Sequence, residues 1–81
     1  MNMKYEDSFQ TSDLSLATFL YSKGILLHAI LDTPGDYQRK VFVFSSPPTE
    51  LIRSFQSGEA VINVLAFTAA QNTLKGMLRK R

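Results

Sequence analysis

The 81-residue chain predicts an α+β fold in the order α-β-β-α-β-α: an antiparallel hairpin and a short third strand packed with three helices. Three observations carry this. Two apolar runs, ILLHAILD and YQRKVFVF, flank the tetrapeptide TPGD, where Pro34 presets one backbone angle and Gly35 takes the positive φ of a tight turn, so the runs pair as one hairpin. The segments TSDLSLATFLYSKG and FTAAQNTLKGML repeat apolar side chains at helical spacing. Between them, SSPPTE stops a strand and opens a helix, because proline gives a sheet no amide and is tolerated in a first helical turn.

Residues 1–10 are polar with isolated aromatics, Tyr5 and Phe9, and read as a flexible arm ahead of a single domain spanning 11–81. The first helix is expected over 12–23. Thr11 or Ser12 accepts from its free amides, Asp13 suits the positive end of its dipole, and Lys23 and Gly24 close it. In the following strand Ile25, Leu27, Ala29 and Leu31 alternate with Leu26 and Ile30, so both of its faces are apolar. In the second hairpin strand Phe42 and Phe44 share one face, Val41 and Val43 the other. Helix two is expected from Pro47 to Ser57, capped by Ser46, burying Leu51, Ile52 and Phe55 and ended by a left-handed Gly58. The short β-branched run AVINV, residues 60–64, reads as the third strand. The last helix places Phe67, Ala70, Leu74, Met77 and Leu78 on one side, with Gly76 as a point of fraying.

Composition narrows the chemistry. With no cysteine, neither a disulfide framework nor a thiolate metal site is possible. The start MNMKYEDSFQ has no signal-peptide core, and no stretch approaches the roughly 20 apolar residues of a membrane span. The expectation is a cytoplasmic protein of a bacterium or mobile element.

The pattern TSDLSLATFLYSKG, then a hairpin ending in VFVF and proline, then INVLAFTAAQNTLK, resembles a small bacterial family known as a domain of unknown function. The likeness covers about residues 9–78. It rests on capping, turn and core positions, and it implies an α+β fold without any catalytic assignment.

Catalytic signals are sparse. His28 is the sole histidine, with neither a second histidine nor a cysteine to complete a transition-metal site, and it is expected half-buried and bonded to a neighbour. Asp32 and Asp36 flank the hairpin turn, and Ser45 and Ser46 precede proline as capping residues without a nucleophile elbow around them. The glycines stand apart, one to a boundary, and form no phosphate loop. The expectation is therefore no enzyme, no cofactor, no metal and no small-molecule substrate.

Two binding classes remain. Arg39, Lys40, Arg53, Lys75, Arg79, Lys80 and Arg81 form a basic half that contacts nucleic acid if the fold gathers these residues, although a net charge of +2 is low for that role. The favoured class is a binding or assembly module that forms a homodimer, since a strand apolar on both faces needs cover on both; Leu26 and Ile30 are the expected self-association residues.

Overall fold

A computed structural model describes residues 8–79, the side chains of residues 36–38 excepted. Its elements are β1 (Ser8–Thr11), α1 (Leu14–Ser22), β2 (Leu27–Thr33), β3 (Asp36–Ser45), α2 (Thr49–Ser57) and α3 (Val64–Arg79). Three helices and a three-stranded antiparallel sheet make the expected α+β architecture, with the hairpin formed by β2 and β3 around Pro34 and Gly35. Gly35 has φ +81°, the left-handed value that its turn requires.

The third strand is not where the sequence pattern put it. Residues 8–11 supply it, pairing Phe9 with Phe44 and Thr11 with Phe42, so residues 8–10 belong to the sheet rather than to an arm. Residues 1–7 of the expected arm lie outside the described residues. The segment 60–63 belongs to no strand, and Val64 already belongs to α3. Asn63 explains the difference: its Oδ1 accepts from the Ala66 amide at 3.0 Å and its carbonyl from the Phe67 amide at 2.9 Å, so it caps a helix where AVINV reads as a strand.

The sheet order is β1-β3-β2, which leaves β2 on one edge and β1 on the other. Register defines its two faces, since residues directly opposite in a ladder point the same way. Phe9, Phe44 and Leu27 share one face with Phe42 and Ile30; Gln10, Val43, Ala29, Val41 and Leu31 share the other. A register shift between Leu27 and Ala29 inserts one extra residue in β2. That bulge puts Leu27 on the side of Ile30, whereas strict alternation sets it with Ala29 and Leu31.

α1 is the centre of the core. Its residues Leu16 to Leu20 are all buried, more than one full turn, so the helix is enclosed on every side. One side meets Ile30, Phe42 and Phe44, and others meet Leu74 of α3 and Phe55 of α2, whose ring centroid lies 5.1 Å from that of Phe19. The apolar residues of α2 and α3 join this same cluster, so all three helices gather on the Phe42/Phe44 face; the molecule is flat, 33 × 31 × 19 Å. Thr18, buried with them, donates its hydroxyl to the Leu14 carbonyl at 2.7 Å.

Helix ends follow local chemistry. Asp13 is the cap of α1, accepting from Ser15 and Leu16, while Thr11 accepts from the Asp13 amide. α2 starts at Thr49, two residues later than expected, and Ser46 does not cap it. A residue before proline is driven out of helical angles, which keeps Pro47 out of the helix, and the helix begins only after Pro48, whose ψ is 139°. Gly58 ends α2 at φ +82°, as expected. α3 runs through Gly76 to Arg79 without the expected break, its last turn held by half-buried Met77 and Leu78.

Candidate functional site

The two expected self-association residues fall on different sides of the surface. Ile30 is 9% exposed and sits in the core beneath α1, so it is not a contact residue; Leu26, in the approach to β2, is 62% exposed. The separation follows from β2 lying against α1 through one face only. Leu26 stands at an open groove of about 690 Å³ along the outer edge of β2, walled by Tyr21, Ile25 and Met77. Leu31, 38% exposed, lies farther along the same strand on the helix-free face.

His28 occupies the bulge and is exposed, not half-buried; its Nε2 lies 3.1 Å from the Ser45 hydroxyl, a hydrogen bond to a neighbour as expected. A histidine–serine contact alone is not a catalytic apparatus, because activation also requires an oriented base and an oxyanion site. Asp32 receives the Lys40 ammonium across the hairpin, and the Asp36 side chain is outside the described residues. Among the described residues no group of three or more histidine, aspartate or glutamate side chains is placed to hold a metal ion.

The candidate phosphate contacts divide in the same way. Lys40 pairs with Asp32 and Arg53 with Glu50, the latter at 3.4 Å and largely in solvent, so both carry a neighbouring negative charge. Arg39, Lys75 and Arg79 are exposed, the last two on α3 one turn apart. Lys80 and Arg81 are outside the described residues.

Sequence reasoning missed the most exposed apolar side chains: Val61 at 84%, Val64 at 75% and Leu65 at 79%. A signal existed. From Ala60 to Leu74 the chain carries no charged residue, although half of any surface helix must face water. Assigning residues 60–64 to a strand hid that these side chains stand at the free end of a helix.

The fold and its surface define a class: a small α+β domain with exposed apolar side chains among its described residues. Within that class, the chain belongs to the family described as Domain of unknown function (DUF5659), whose model matches residues 6–80. No curated protein and no solved structure matches it. Among the described residues no helix is long and apolar enough to cross a membrane.

Proposed function

We propose that this protein is a small, non-enzymatic, cytoplasmic binding or assembly module that self-associates. The observation that supports it most directly is the exposure of five large apolar side chains among the described residues, Leu26, Leu31, Val61, Val64 and Leu65. Scattered single exposures are ordinary, but Val61, Val64 and Leu65 are adjacent and each more than 70% exposed, the pattern of a surface that a partner removes from water. A flat body adds a large surface for the chain's mass.

Light scattering across a concentration series tests the reading: a mass of twice the 9.1 kDa chain is expected, and a single-chain mass at the highest concentration would remove it. A nucleic-acid role is the competing outcome, read from fluorescence anisotropy with a labelled duplex. Binding that falls steeply with salt and is lost on charge reversal of Lys75 and Arg79 supports that role instead.

A further inference from the structure

Resting on this self-association, we infer that the interface is the outer face of α3, and that its occupant is the same face of a second copy lying antiparallel across a twofold axis. Val61, Leu65, Thr68, Asn72, Lys75 and Arg79 follow one another at intervals of four, three, four, three and four residues, and every one is exposed. From Leu65 to Arg79 that spacing forms a single seam along α3, and Val61 stands just ahead of the helix, two residues before its cap Asn63. The seam is apolar at one end, small and polar in its middle, and basic at the other.

Reversing the sequence of the seam leaves it self-complementary. A twofold axis between Thr68 and Asn72 sets Leu65 against the methylene stem of Lys75 in the second copy, Thr68 against Asn72, and Val61 against Arg79. Glu59, exposed two residues before Val61, brings a carboxylate to the end where the second copy's Arg79 arrives. Lys23 is also at that end, its ammonium donating to the Val61 carbonyl at 3.2 Å and lying 5.6 Å from the Phe19 ring centroid. The absence of charge between Ala60 and Leu74 fits the same occupant, because interface centres are depleted of charged residues and the inner side of α3 is already committed to Ala70 and Leu74. A polyanion would match the basic end and leave Val61 and Leu65 in water. A second copy is the partner that supplies both halves.

The dissociation constant of the full chain, measured by sedimentation equilibrium, decides this with five variants: Leu65→Glu, Glu59→Lys, Arg79→Glu, the Glu59→Lys/Arg79→Glu pair, and Leu26→Glu. Leu65→Glu is expected to weaken association on the order of a hundredfold while circular dichroism stays native. Each single charge reversal is expected to weaken it about fivefold and the pair to restore it. That rescue keeps the inference testable even if Leu65→Glu fails to fold. A dimer that survives Leu65→Glu, shows no rescue and is lost on Leu26→Glu overturns the α3 seam and leaves self-association standing, at β2. A wild-type chain that stays monomeric overturns both.

Discussion

Replacing Gly76 by alanine should raise the stability of the protein, and the structure fixes both sign and size. Gly76 has no positive φ and sits three residues before Arg79, the last residue of α3, so alanine adopts its backbone conformation without strain. A Cβ built there meets nothing within 4 Å. Glycine costs a helix interior about 0.8–1.0 kcal/mol relative to alanine, largely through the freedom it has in the unfolded chain. A fraying last turn would dilute that gain, but Met77 and Leu78 are half-buried against the core and hold the turn in place. The full increment of roughly 1 kcal/mol is therefore expected, a rise in Tm of about 4–8 °C for a domain of this size. Gly58→Ala is the control. Its Cβ also has open space, yet φ is +82°, so left-handed strain of about 1–2 kcal/mol outweighs the gain from a less free unfolded chain and Tm falls. Thermal melts of both variants at one protein concentration, matched to wild type, read the two shifts. If Gly76→Ala lowers Tm or leaves it unchanged while Gly58→Ala lowers it, α3 does not continue as an ordered helix past Leu74.

Asp13→Ala removes the side chain that accepts from the Ser15 and Leu16 amides, and urea denaturation should show a loss of about 1 kcal/mol, with Asp13→Asn losing much less. Phe19→Ala empties the contact between α1, the sheet and Phe55; the expected cost of about 3–5 kcal/mol is a large share of the roughly 4–12 kcal/mol available to 81 residues, so the circular dichroism of this variant should be largely unfolded. Ile30→Glu should unfold the chain and Leu26→Glu should not, since one carboxylate enters the core and the other enters water; equal melts for the two would contradict the facing of β2.

The hairpin, the apolar stripe of α1 and the left-handed end of α2 were legible because each depends on neighbours in sequence, whereas the cap of α1 is Asp13 and not the expected Thr11 or Ser12. β1 was not legible. Ser8, Gln10 and Thr11 give no apolar alternation, and the strand exists because the outer edge of β3 accepts it and Phe9 reaches the core beside Phe44. The bulge at His28 was equally hidden, since a one-residue shift of register is set by pairing with β3 and reverses the facing that alternation predicts for Leu27. The late start of α2 was recoverable from sequence, because the rule that moves a residue out of helical angles before proline applies to Pro47 as much as to Ser46.

The candidate site shows a different limit. Leu26, just ahead of β2, and Ile30 within it are chemically alike, yet one is in solvent and the other beneath α1. Hydropathy alone cannot separate a residue that the fold buries from one that a partner would bury, because the same transfer of apolar surface drives both. The discriminating signal lies in which apolar residues remain after the core is filled. For α3 the core takes Ala70, Leu74 and the half-buried Phe67, Met77 and Leu78, and what is left over is Val64 and Leu65, continuous with Val61 and followed by two helical turns without charge. A solitary helix would gain solubility from charged residues at these positions at little structural cost. Their absence at Thr68, Ala69, Asn72 and Thr73, where nothing inside the domain requires neutrality, is a property of the outer surface of α3 and directs the search for function to that surface rather than to the histidine.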